Sequence, residues 1–138
     1  MNNIAILNQS GICSNGKTAK IITNSHEKNI YYDDKLLFRS VVNNVYDAYG
    51  SLVYHVHTIT TCDDVIKSYY KNKILMFKEI KRGGAYPEYY NGDSKLIGKL
   101  VPGICDRDGN CDCMIYSNDP FNMDIDCPIF VMASLKNC

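Results

Sequence analysis

The sequence predicts a mostly β chain, a β-rich α+β domain of short antiparallel strands. Three observations predict it. Short runs of β-branched and aromatic residues recur along the chain, Gly, Asn and Asp punctuate them, and eleven tyrosines with no tryptophan suit sheet surfaces and a sheet core. A length of 138 residues allows one core, not two. Hydrophobic residues at 46% against charged residues at 22% are globular composition and exclude a disordered chain.

Residues 1–18 read as a flexible, Gly-punctuated N-terminal arm, and residues 19–138 as a single β domain. Ala19 to Thr23 and Asn29 to Tyr32 flank the turn chemistry of Asn24, Ser25, His26 and Glu27, so 19–33 is a predicted hairpin. Leu36 to Val42 is a further strand. Val45 to Asp47 and Leu52 to Thr60 flank Ala48, Tyr49 and Gly50, where a glycine supplies positive φ cheaply. Alternation places Val53, His55, His57 and Ile59 on one side of the longer strand, and Tyr54, Val56 and Thr58 on the other.

The stretch 61–82 has two readings. Val65, Ile66, Tyr69 and Tyr70 predict a short helix near 63–70, capped by Thr61 or Asp63, with a strand over 73–80. Otherwise the helical spacing runs on through Ile74 and Phe77 to Lys81 and Arg82 and stops at Gly83. Gly83 to Asp93 then reads as a long turn, Lys95 to Val101 as a strand, Cys105 to Tyr116 as a hairpin around Asp108-Gly109-Asn110, and Phe130 to Ala133 as the last strand.

Fifteen Lys plus Arg balance fifteen Asp plus Glu, so no basic field draws the chain to nucleic acid. The first ten residues lack a basic n-region, and their apolar run, Ile4 to Leu7, is too short for a secretory signal. No window approaches the apolar length of a membrane-spanning helix. An intracellular protein is expected, cytoplasmic or peripheral to a membrane, with its seven cysteines reduced.

Gly11-Ile12-Cys13-Ser14-Asn15-Gly16-Lys17-Thr18 satisfies G-x-x-x-x-G-K-[ST]. In a phosphate loop, Gly11 and Gly16 would let backbone N–H groups approach phosphate oxygens. Lys17 would reach the terminal phosphates and Thr18 would bind Mg²⁺. The predicted hairpin at 19–33 occupies the place of the helix such a loop opens, so nucleotide binding is an alternative. A second alternative is a small zinc-stabilised domain. His55 and His57 share one strand face, Cys62 follows closely, and Cys105, Cys111 and Cys113 add thiolates in a C-x₅-C-x-C spacing. The run from Asp106 to Asn110 fails as an EF-hand, with glycine at the fourth position and Ser117 at the twelfth. Three histidines and no nucleophile elbow leave no catalytic triad to build.

In order along the chain, several segments resemble the phospholipid scramblase family of the tubby-like β-barrel group. The first hairpin, with Asn24-Ser25 at its turn and Ile30-Tyr31-Tyr32 after it, is similar to that family's early strand pair. Asp47-Ala48-Tyr49-Gly50 resembles its D-x-x-G hairpin, with Cys62 following, and Ile97-Gly98 falls in a strand similar to its I-G-x-V. Asp126-Cys127-Pro128 resembles its G-P-C turn with the order changed. The likeness spans residues 20–133 and implies only the N-terminal half of the barrel, a partial barrel or curved sheet. The family's calcium-binding acidic segment and hydrophobic C-terminal helix are expected to be missing. The resemblance implies a truncated, membrane-peripheral module that binds phospholipid or protein, related to transbilayer phospholipid movement, with no cofactor. In it Asn24, Ser25, Asp47, Gly50, Ile97, Gly98, Cys62 and Cys127 hold structural roles. Open edges of a half barrel would call for self-association or a covering partner.

Overall fold

The structure is a computed structural model that describes residues 3–8, 10–105, 107–108 and 111–136. Among them the chain forms β1 (Asn3–Leu7), β2 (Gly11–Ser14), β3 (Lys17–Thr23), β4 (Glu27–Tyr32), β5 (Lys35–Val41) and β6 (Asn44–Asp47). There follow β7 (Leu52–Thr60), β8 (Asp64–Lys71), β9 (Ile74–Arg82), β10 (Glu88–Asn91), β11 (Leu96–Cys105), β12 (Cys111–Ser117) and the helix α1 (Pro128–Ser134). Each strand pairs antiparallel with its sequence neighbours, and β1 pairs with β12 (Asn3 opposite Ser117, Leu7 opposite Cys113). The sheet is therefore a closed barrel.

Local sequence explains the hairpins. Asn15-Gly16, Asp33-Asp34 and Asn72-Lys73 are two-residue turns with positive φ at both central residues (52° and 76°, 54° and 60°, 51° and 66°). That is the type I′ geometry, whose twist matches the strands it joins. At β6–β7, Asp47 Oδ1 accepts hydrogen bonds from Tyr49 N and Ser51 N, both at 2.9 Å, and Gly50 sits at φ 85°. The D-x-x-G segment is a side-chain-closed turn.

The inner wall is apolar over most of its height, with Ala5, Leu7, Ile12, Ala19, Ile30, Phe38, Val45, Tyr54, Tyr69, Phe77, Tyr89 and Ile115 buried. Helix α1 fills it. Phe130 meets Phe38 of β5 edge to face at 5.8 Å. On β11, a Cβ added at Gly98 would lie 2.5 Å from Ile129 Cδ1. Strands β5 and β11 stand on opposite sides of the twelve-strand order, so α1 touches both walls and crosses the lumen. Its residues Ile129 to Ser134 are all buried, as expected of a helix apolar on every side.

Several expectations are corrected. Residues 63–70 are not a helix: Asp63 is in the turn and 64–70 lie in β8. Thr61 Oγ1 does accept from Asp64 N at 3.0 Å, as a cap would, yet Thr61 N also donates to Asp64 O at 2.9 Å and closes a hairpin. Phe130 to Ala133 is not a strand but part of α1, with Pro128 at its start, where a missing N–H is harmless. The long turn after Gly83 contains β10, and the described residues of 1–18 are not an arm, since β1, β2 and the start of β3 belong to the barrel. The expected partial barrel is a closed barrel, with α1 inside it. Its described strands leave no open edge of the kind that called for a covering partner. Cys113 is disulfide-bonded, not reduced. The turn at Gly109-Asn110 lies outside the described residues.

Candidate functional site

In an up-and-down barrel successive turns alternate between the two ends. The β3–β4, β5–β6 and β7–β8 turns share one end with the C-terminal side of α1, and there the lumen opens as a cavity of about 300 Å³. Its lining differs from the apolar wall below because of single positions in each strand's alternation. On β4, Ile30 points inward and is fully buried, so Lys28, two residues earlier, also points inward. On β8 the same relation holds between buried Tyr69 and Lys67. Register sets Glu79 of β9 on the other side of Lys67 and completes the ring: Lys28 lies opposite Thr23 on β3 and Ser40 on β5, and Lys67 lies opposite Thr58 on β7. The two lysines and three hydroxyl residues line the cavity, beneath the Asn24-Ser25-His26 turn.

The charge balance at this mouth is uneven. Lys136, just past α1, places its ammonium 2.7 Å from Glu79 Oε1 on the inner wall of β9. Lys28 Nζ donates to the Lys136 carbonyl at 3.1 Å. Glu27 also lines the cavity, and its Oε1 accepts from Asn29 Nδ2 at 2.9 Å. Among the described residues, neither Lys28 nor Lys67 is ion-paired. Burial first, then the ammonium groups of Lys67 and Lys136, hold the Lys28 amine below the ordinary lysine range. Deeper in the lumen, burial and then the Glu79 carboxylate push the Tyr69 and Tyr89 phenols up. The Tyr89 hydroxyl is buried with no hydrogen-bond partner among the described residues.

The other candidates are distributed differently. Gly11 to Thr18 forms the β2–β3 hairpin, and no helix opens at Thr18. Lys17 and Thr18 are exposed strand residues and Asn15-Gly16 is the turn, so the letters of a phosphate loop fold here as a β-hairpin. Gly11 serves packing, since a Cβ there would collide with the Ala19 carbonyl. His55 and His57 are exposed on the outer face of β7, His55 Nδ1 at 3.0 Å from Asn44 Oδ1. Cys62 is exposed in the β7–β8 turn, whereas Cys113 is buried and disulfide-bonded. The side chains of Cys105 and Cys111 lie outside the described residues. No three metal-ligating side chains converge among the described residues.

Of the motif residues, Asn24 and Ser25 sit on the basic mouth, Asp47 and Gly50 close the β6–β7 turn, and buried Ile97 and Gly98 face α1. Cys127 is a free thiol at the helix N-cap. Sequence reasoning missed Lys28, Ser40 and Lys67. The available signal was a lysine two residues before a buried large side chain on the same strand face. A larger groove of about 540 Å³, lined by Leu52, Val53, His55 and Tyr70 among others, gathers no convergent charge. No family model, curated protein or solved structure matches the chain.

Proposed function

We propose that the chain is a scramblase-like binding module, peripheral to membranes, which engages phospholipid at its basic mouth and carries out no covalent chemistry. The observation that carries this reading is the pair of inward lysines, Lys28 and Lys67, at the open end of a lumen otherwise filled by an apolar helix. The scramblase-like part of the reading rests on the ordered sequence segments of residues 20–133 alone, since they implied half a barrel and the sheet is closed. No helix of the described chain is long and apolar enough to cross a membrane, so the contact considered is with a lipid surface. Calcium dependence and lipid scrambling are not part of the proposal.

Flotation tests it. The chain is mixed with phosphatidylcholine vesicles with and without phosphatidylserine and spun through a density step. Co-flotation with the anionic vesicles, abolished by Lys67→Glu, is expected. A chain that stays at the bottom with both vesicle types removes the lipid reading and leaves a protein ligand as the alternative.

A further inference from the structure

We infer that the basic mouth is a cradle for one phosphate group, with the ammonium groups of Lys28 and Lys67 on two sides and the hydroxyls of Thr23, Ser40 and Thr58 between them. This names the ligand chemistry of the site on which the binding-module reading rests.

Three features specify a phosphate. The first is donor chemistry. An ammonium has three N–H donors and no acceptor, and Lys28 uses one on the Lys136 carbonyl, which leaves two for a ligand. Hydroxyls adapt as donors, and cross-strand register sets each one beside a lysine: Thr23 and Ser40 beside Lys28, Thr58 beside Lys67. The second is electrostatics. Glu79, opposite Lys67 on β9, is paired with Lys136 at 2.7 Å, and Glu27 of the cavity lining bonds Asn29, so three lysines face two carboxylates and the mouth keeps an excess of positive charge. Two ammonium groups near each other at a partly desolvated mouth repel, and an entering dianion replaces that repulsion with two attractions.

The third feature is size. A cavity of about 300 Å³ is at the small end of ligand sites. It admits a phosphate or a phosphorylated headgroup in preference to a nucleoside triphosphate, and Leu135, just past α1, contributes to its lining. The phosphate can belong to a soluble ion or to a lipid headgroup, and the experiment separates them.

Inorganic phosphate is titrated into the folded chain at constant ionic strength, with chloride as control, and backbone amide shifts are followed by NMR. Saturable shifts are expected at residues 23–28, 40–43, 58 and 67, with chloride giving none. Because Lys28 also holds the Lys136 carbonyl, Lys67→Met is the primary variant and Thr58→Val the second. Loss of the charge-assisted bond in Lys67→Met weakens phosphate binding about tenfold or more, while Lys99→Met, an outer-wall change at a lysine stacked over Tyr116, leaves it unchanged. In parallel, phosphatidylcholine vesicles containing phosphatidic acid are tested with the same variants. Saturable phosphate binding lost in Lys67→Met, without vesicle binding, supports the cradle and assigns a soluble ligand, even though the lipid reading then fails. Vesicle binding lost in Lys67→Met supports the cradle and assigns the headgroup. If neither ligand binds, or binding survives unchanged in both Lys67→Met and Thr58→Val, the cradle is overturned.

Discussion

Lys136 Nζ and Glu79 Oε1 lie 2.7 Å apart, with the Glu79 side chain only 3% exposed and that of Lys136 20% exposed. The pair ties the second residue after α1 to the inner wall of β9 and so holds the helix's C-terminal side in the lumen. Removing one partner strands the other: Lys136→Met leaves a buried carboxylate and is expected to cost about 3–5 kcal/mol. Glu79→Gln combined with Lys136→Met removes both charges and restores much of that loss. Urea unfolding of the two single variants and the double variant measures the coupling. A purely additive cycle would remove the latch from this account.

Gly98 is expected to tolerate no side chain. A Cβ there would stand 2.5 Å from both Ile129 Cδ1 and the Tyr116 carbonyl oxygen. The first contact can relax by a rotamer change, but the second is backbone in the adjoining strand β12. Gly98→Ala is therefore expected to lose about 1–3 kcal/mol by overpacking, and adding Ile129→Ala is not expected to recover it. Denaturant midpoints for both variants decide this. Recovery in the double variant would place the whole strain on the helix.

Much of the sheet was legible because its signals are local. Alternation in Leu52 to Thr60 separated the face of Tyr54 and Val56 from that of His55 and His57, but it suggested a strand covered on both sides, whereas the histidine face is exposed. The Asp47 and Gly50 turn was set by residue chemistry within four positions. Failures came where two periods fit one string. Val65, Ile66, Tyr69 and Tyr70 satisfy both a helix and a strand, and Ile129 to Ala133 is apolar at every position, so periodicity cannot choose. Closure was illegible for another reason: the β1–β12 pairing joins residues more than a hundred positions apart, and no local pattern encodes it. The site was half legible. Lys28 interrupts an inward face that alternation exposes, but Lys67 was hidden by the helical reading of its strand.

Alkaline unfolding is expected to be governed by buried tyrosines. Tyr54 donates its hydroxyl to the Ile125 carbonyl at 3.0 Å, and burial, then Asp126 and Asp124, push its phenol up to about 12. Tyr69 and Tyr89 are pushed up further, by burial and then by Glu79. An unfolded tyrosine titrates near 10. Above that pH the unfolded chain gives up protons that the folded chain retains, so this contribution is fully present below pH 10 and lost as pH rises through about 12. Tyrosinate absorbance followed alongside circular dichroism should show a late step that coincides with loss of the sheet. In Tyr54→Phe that step shrinks by one tyrosine's amplitude. Full ionisation of all eleven tyrosines before any loss of the sheet would contradict the assignment.

Val42 carries backbone strain on the rim of the basic mouth. It is 76% exposed, so no packing rewards the side chain, yet its φ is 56°. Val41 pairs with Asn44, which makes Val42-Asn43 a two-residue turn with positive φ at the first of its two central residues. A β-branched residue there costs about 1–2 kcal/mol. Val42→Asn, which suits the left-handed region, is expected to stabilise by about 1 kcal/mol. Val42→Gly should gain less, because glycine also raises the entropy of the unfolded chain. The gain should appear as a higher urea midpoint at unchanged slope. A lower midpoint for Val42→Asn would show that the valine side chain is held by something at the rim, and the phosphate titration repeated on that variant would show whether the strained turn helps to shape the cradle.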